Sequence, residues 1–183
     1  MSTTLVLGAA RSGKSRHARS LLPADARVTL VIPTRPHEDD PTATVPGAVE
    51  PPPGWQTIET QELSRVLMAA RGPVLLDTLD TWVAGVLDQI EGWEDPERSV
   101  KHINELVDEL LVAMVYLPFD IVAVSTDPGW VGHDLSPASR LHRDLVAVVN
   151  RRVGASAQRV HLVVAGRVID LSGASIAQGA QHA

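Results

Sequence analysis

The chain has 183 residues, 44% of them hydrophobic and 21% charged, with no cysteine and a formal net charge of −6. That length and balance fit one ordinary soluble domain with a sizeable core, and they exclude disulfides, cysteine-ligated metals, iron–sulfur clusters and thiol catalysis. An acidic chain without a basic block is poorly suited to nucleic acid or an anionic membrane, so any anionic ligand needs a local site.

Five short apolar runs read as strands, at residues 4–8, 28–32, 74–77, 120–125 and 160–165. Most are continuously apolar rather than alternating, as strands buried on both faces are. Helical patterns lie between them. The first is expected at 15–22 and the second at 61–70. Residues 79–90 carry Leu79, Trp82, Val83, Val86, Leu87 and Ile90 on one face. Residues 100–117 carry Ile103, Leu106, Val107, Leu110, Leu111 and Met114 in the same spacing of three and four. Ser136-Pro137 reads as an N-cap followed by proline at the first helical position, opening a helix to about Val153. Strand and helix alternate, so the expected fold is α/β, with a mainly parallel central sheet flanked by helices.

Aromatic residues are only 3% of the chain, so the core must be built from Val, Leu, Ala and Ile. No apolar run reaches the ~20 residues that span a bilayer, and the first residues lack a signal-peptide pattern. A cytoplasmic protein without a membrane span is expected. Two stretches break the alternation. Residues 33–54 hold prolines at 33, 36, 41, 46, 51, 52 and 53, which bar a regular helix and predict a long exposed loop or lid. Residues 172–183 are small and polar and read as a flexible tail, leaving 1–171 as a single nucleotide-binding domain.

The strongest motif is Gly8-Ala9-Ala10-Arg11-Ser12-Gly13-Lys14-Ser15, which fits G-x-x-x-x-G-K-[ST] at every fixed position. It follows a predicted strand and precedes a predicted helix, as a phosphate-binding loop does. Glycines let the backbone close around phosphates, successive N–H groups point into the concavity, and the helix adds its positive dipole end. Lys14 is then the point charge for the outer phosphates, and the Ser15 hydroxyl is a ligand for Mg²⁺. Such a loop also needs an acid near the metal. Val74-Leu75-Leu76-Asp77 is an apolar strand ending in a carboxylate, so Asp77 is the second metal candidate. Its other reading is an N-cap for the helix that starts just after it. Asp80, one turn further, reads as an exposed first-turn acid.

Other residues carry weaker signals. His17 reads as a packed or solvated histidine on the loop's helix. Asp127 and His133 follow the fourth strand, at the carboxyl end of the sheet where α/β sites form. Arg140 and Asp144 are spaced to pair at i, i+4, with a phosphate-facing Arg140 as the rival reading. The four tryptophans read as core or loop anchors, Trp55 pinning the return of the Pro-rich stretch.

Through most of residues 4–171 the chain resembles the bifunctional adenosylcobinamide kinase/adenosylcobinamide-phosphate guanylyltransferase family of cobalamin biosynthesis. The resemblance rests on the phosphate loop continued through Arg16-His17-Ala18, and on Trp55-Gln56-Thr57-Ile58-Glu59, similar to W-x-T-x-E. It also rests on Leu75-Leu76-Asp77-Thr78-Leu79-Asp80-Thr81-Trp82-Val83, on Arg140-Leu141-His142-Arg143-Asp144 with Asn150, similar to R-x-F-R-D…N, and on Val160-His161-Leu162-Val163-Val164-Ala165-Gly166. It implies a RecA-like P-loop NTPase domain, Mg²⁺ with ATP or GTP as substrate, a corrinoid acceptor (adenosylcobinamide) and a homotrimer. It also adds Thr34 and Glu59 to the nucleotide-binding residues. Members phosphorylate the aminopropanol hydroxyl of adenosylcobinamide, then transfer GMP from GTP to that phosphate through a guanylylated histidine.

Three departures from the family pattern bear on function. The histidine's position falls on Pro46, and His37, eighteen residues before Trp55, is the one histidine in that stretch. The family's N-E-V-G becomes Thr126-Asp127-Pro128-Gly129, and Arg19 stands where a glutamate is common. The expected function is therefore the family's kinase reaction, with guanylyl transfer lost or rebuilt. The alternative is a nucleotide-binding regulatory homologue without catalysis.

Overall fold

The structure, a computed structural model, describes residues 2–34, 51–130 and 136–177. In chain order the elements are β1 (Thr3–Gly8), α1 (Lys14–Ser20), β2 (Thr29–Ile32), β3 (Gln56–Glu59), α2 (Leu63–Ala69), β4 (Val74–Asp77), α3 (Leu79–Gln89), α4 (Pro96–Tyr116), β5 (Ile121–Thr126), α5 (Pro137–Ser156), β6 (Arg159–Val164) and β7 (Arg167–Asp170). The strands form one seven-stranded sheet in the order β3-β2-β4-β5-β1-β6-β7. Every pairing is parallel except β6 with β7. The mainly parallel α/β fold expected from the sequence is the fold found.

Successive residues of the central strands point to opposite faces, and both faces are dry. Leu5, Val31, Leu76 and Ala123 join the core on one face, under α2, α3, α4 and α5. Val6, Leu30, Leu75, Val122 and Val124 face the other way, toward Ala18 and Leu22 at α1 and toward Trp55. The α3 stripe is buried as its spacing predicts, with Trp82 at its centre donating its indole N–H to the Gln61 carbonyl at 2.9 Å. The last helix is capped as read: Ser136 accepts from the Ser139 N–H at 3.1 Å, with Pro137 at the first position.

Two strands and one helix start differ from expectation. The strand β3 was not anticipated, because only Ile58 of Gln56-Thr57-Ile58-Glu59 is even half-buried and an edge strand needs no apolar run. Nor was β7, which is exposed along its length and joined to β6 by a two-residue turn. In that turn Ala165 and Gly166 both have positive φ, 50° and 74°, the geometry of a primed hairpin turn. Helix α4 begins four residues before position 100, because Asp95 caps it (Arg98 N–H, 3.1 Å) and Pro96 opens it. Of the expected lid, residues 35–50 lie outside the described residues, and so do 178–183 of the expected tail. Ser172, at the start of that tail, hydrogen-bonds Asp170 through its backbone N–H at 2.8 Å. Among the described residues no helix is long and apolar enough to cross a membrane.

Candidate functional site

Parallel strands end on one edge, so the carboxyl ends of β1, β2, β3, β4 and β5 lie together. The motif loop leaves β1 at Gly8 and enters α1 at Lys14. A Cβ on Gly8 would stand 2.5 Å from Ser12 Oγ and 2.6 Å from the Val163 carbonyl, so the loop closes this tightly only over glycine. Arg11 and Gly13 have left-handed φ of 59° and 98°, and a Ser12 N–H to Ala9 carbonyl bond of 3.2 Å closes the turn. The β6–β7 turn holds the loop from outside: the Gly166 N–H donates to the Ser12 carbonyl at 3.1 Å. Helix α1 starts without a side-chain cap and without an acid in its first turn, which leaves its first N–H groups for an anion. Lys14 Nζ lies over the loop, 3.4 Å from the Ala9 carbonyl.

Asp77 ends β4 beside this loop. Its Oδ1 accepts a hydrogen bond from Ser15 Oγ at 3.0 Å, and its Oδ2 is 4.0 Å from Arg19. The α3 N-cap is Thr78, whose side chain makes no cap bond. The capping reading of Asp77 is therefore replaced: the carboxylate faces the loop. Burial pushes its carboxyl above the usual carboxylate range; Ser15, Arg19 and Lys14 oppose that, and Asp80 adds to it. Asp80 is also corrected. It is half-buried rather than exposed, with Oδ2 accepting from Thr126 Oγ1 at 2.8 Å and Oδ1 buried without a partner.

Helix α5 supports this corner. The His142 Nε2–H donates to the Asp80 carbonyl at 2.9 Å, and Asn150 Nδ2 donates to the Thr126 carbonyl at 2.9 Å. Arg143 pairs with Asp144 at 2.8 Å, so the expected Arg140–Asp144 pair is not formed and Arg140 is exposed. Asp127 accepts from the Gly129 N–H at 2.9 Å, within its own turn. His17 packs on His161, Nε2 to Nδ1 3.0 Å. His37, Pro46 and His133 lie outside the described residues.

Thr34 and Glu59 sit elsewhere on the same edge. Thr34 follows β2, and its carbonyl would meet a Cβ on Gly85 at 2.5 Å, so the bare backbone of α3 lets that segment dock. Glu59 ends the edge strand β3, four strand positions from β1, or roughly 19 Å at the usual spacing. The structure thus gathers Gly8, Ala9, Ala10, Arg11, Ser12, Gly13, Lys14, Ser15 and Asp77; Thr34 follows β2, the strand next to that of Asp77, and Glu59 stands one strand further out. The sequence reading missed Asp80, Thr126 and His142 as a connected group; their contacts are long-range and leave no local pattern.

The oxygen-only group of Ser15, Asp77 and Asp80 suits Mg²⁺, which binds few carboxylates and fills its remaining places with phosphate oxygens and water. Among the described residues no three His, Asp or Glu side chains form a metal cage of their own. The family described as cobinamide kinase / cobinamide phosphate guanyltransferase matches residues 4–171. The bifunctional adenosylcobalamin biosynthesis protein CobU of Escherichia coli (strain K12) is 33% identical over 175 residues, covering 88% of this chain and 95% of that protein. The CobU protein of Salmonella typhimurium (strain LT2) is 31% identical over the same shares.

Proposed function

The chain belongs to the cobinamide kinase / cobinamide phosphate guanyltransferase family, and from that premise we propose that it is a kinase of cobalamin biosynthesis that phosphorylates a cobinamide hydroxyl. The observation that carries this reading is the 3.0 Å contact of Ser15 with Asp77 beneath a complete phosphate loop. A nucleoside triphosphate, ATP or GTP, lies with its phosphates against the N–H groups of residues 8–15. Lys14 would leave the Ala9 carbonyl for the outer phosphates, and Ser15 and Asp77 would hold Mg²⁺, which when bound would offset phosphate charge. Phosphoryl transfer needs placement and charge compensation rather than a covalent protein intermediate, so this set, with a positioned acceptor hydroxyl, supports the kinase step. Thr34 and Glu59, farther along the edge, are left for the nucleoside or acceptor end.

Guanylyl transfer is the step this chain lacks in the same reading. A proline has no nitrogen that can attack an α-phosphate, and Pro46 holds the family's histidine position. His37 is followed directly by Glu38, Asp39 and Asp40, which repel an approaching anion. The family's homotrimer is carried over as well. Exposed Met68, Val112, Val115 and Tyr116 on α2 and α4 offer apolar surface that an assembly can cover, and light scattering measures the state.

The test uses γ-labelled ATP and α-labelled GTP with and without adenosylcobinamide. Transfer of the γ-label to the corrinoid, with no α-label on protein, is the expected result. An α-labelled protein that His37→Ala abolishes overturns the loss of guanylyl transfer. Label on neither protein nor corrinoid makes this a nucleotide-binding regulatory protein.

A further inference from the structure

One oxygen of the Asp80 carboxyl has no partner in its surroundings. Its Oδ1 is sealed from solvent with no donor, and its Oδ2 has the neutral Thr126 hydroxyl. Among the described residues no Lys, Arg or His forms an ion pair with it. Asp77, three residues back, has Arg19 at 4.0 Å and the Ser15 hydroxyl at 3.0 Å. An unanswered carboxylate out of water normally turns toward solvent or recruits a donor.

Here it is held. His142 fixes the Asp80 backbone and Asn150 fixes the Thr126 backbone, both from α5. Thr126 is the register partner of Gly8, where the phosphate loop begins. The charge is therefore fixed over the ends of β4 and β5, next to the loop. A divalent cation held by Ser15 and Asp77 would stand beside this corner and answer the Asp80 carboxylate.

We propose that Asp80 is a positioning residue for the Mg²⁺ of the nucleotide complex, an outer carboxylate whose fixed charge adds to the hold of Ser15 and Asp77 on the metal. The proposal rests on the reading that this loop binds a Mg²⁺-nucleotide. Because its Oδ1 faces inward, Asp80 acts on the cation through its field and its Thr126-bound oxygen, and contact with the metal is not required.

The experiment titrates a non-hydrolysable ATP analogue calorimetrically into wild type, Asp80→Asn, Asp77→Asn and Thr126→Val at a series of Mg²⁺ concentrations. Mn²⁺ bound with the analogue is followed by electron paramagnetic resonance. Asp80→Asn is expected to raise the Mg²⁺ concentration for half-maximal tightening about tenfold, the scale of an outer-shell partner. Metal-free affinity for the analogue should hold or improve, because a negative charge near the phosphates is gone. Thr126→Val keeps the charge but frees it, and a smaller shift of about threefold is expected. An Asp80→Asn protein with wild-type Mg²⁺ dependence and Mn²⁺ spectrum overturns the proposal. If Asp77→Asn loses both in the same series, the nucleotide-site reading survives that failure. A wild type whose affinity ignores Mg²⁺ overturns both. If Asp80→Asn does not fold, Thr126→Val decides alone: a shift supports the proposal and no shift ends it.

Discussion

The carboxyl edge of the sheet has two halves built on different terms. At β1, β4 and β5 three features are held twice: the loop by its own turn and by Gly166, Asp77 by Ser15 and Arg19, Thr126 by Asn150 and Asp80. At β2 and β3 the edge is sparer. Glu59 is exposed at the end of a four-residue strand, and Thr34 is placed mainly by the gap that Gly85 leaves. In the proposed reading the difference follows from what each half would handle. Phosphates need fixed dipoles and charges, which demand a rigid cradle. A nucleoside or an acceptor is gripped by shape, which tolerates looser walls.

Four measurements sharpen or break that contrast, the largest effect first. Lys14→Ala should cost roughly a hundredfold in triphosphate affinity, the scale of a lost charge-assisted contact. Its fold should remain intact, since the side chain is only half-buried; calorimetry with circular dichroism checks both. Asp77→Asn should lower Mg²⁺-dependent turnover about 10- to 100-fold while leaving the melting temperature near wild type. Unchanged turnover and Mg²⁺ dependence would remove Asp77 from the site.

Gly85→Ala probes the other half. The added Cβ would stand 1.9 Å from Gln61 Nε2 and 2.5 Å from the Thr34 carbonyl, so something must move. An overpacking cost of about 1–3 kcal/mol is expected in denaturant melts. Triphosphate affinity should change little, and a large loss would mean that the two halves are one unit.

The smallest effect is a pH dependence. Burial, then the neighbouring His161, hold His17 below its ordinary value of 6.5. The unfolded chain then takes up a proton that folded His17 refuses. Stability should fall as pH drops through about 6.5 and level off below the folded value. His161→Gln removes one of the two causes and should flatten that slope in denaturation midpoints taken between pH 7.5 and 5.5.

The sequence disclosed one half of this edge far better than the other. Residues 8–15 form a contiguous motif, and Asp77 ends an unbroken apolar run, so spacing alone located them. The amphipathic helices were equally plain, as Trp82 and Val86 on α3 illustrate. Glu59 was legible only through the resemblance and the strand that carries it not at all, because an exposed edge strand has no hydrophobic period to detect. The start of α4 was missed although Asp95-Pro96 repeats the signal of Ser136-Pro137; the apolar stripe begins a turn later and drew the boundary inward. Asp80, Thr126 and His142 could not be grouped from sequence. They lie 46 and 62 residues apart along the chain, and only the packing of α3 against both β5 and α5 brings them together.

The position of β1 also sets a schedule for synthesis. This strand lies between β5 and β6, so Thr3 meets Ile121 and Thr4 meets Arg159. A ribosome adding about 5–20 residues per second needs roughly 8–30 s to travel from one end of that pairing to the other. Until β5 is made, Leu5 and Val6, later fully buried, have no strand beside them, and the other flank of β1 stays open until β6 follows. The segment that opens the motif thus waits for two late strands, and a nascent protein halted before β6 would carry the whole motif with one side of β1 unpaired.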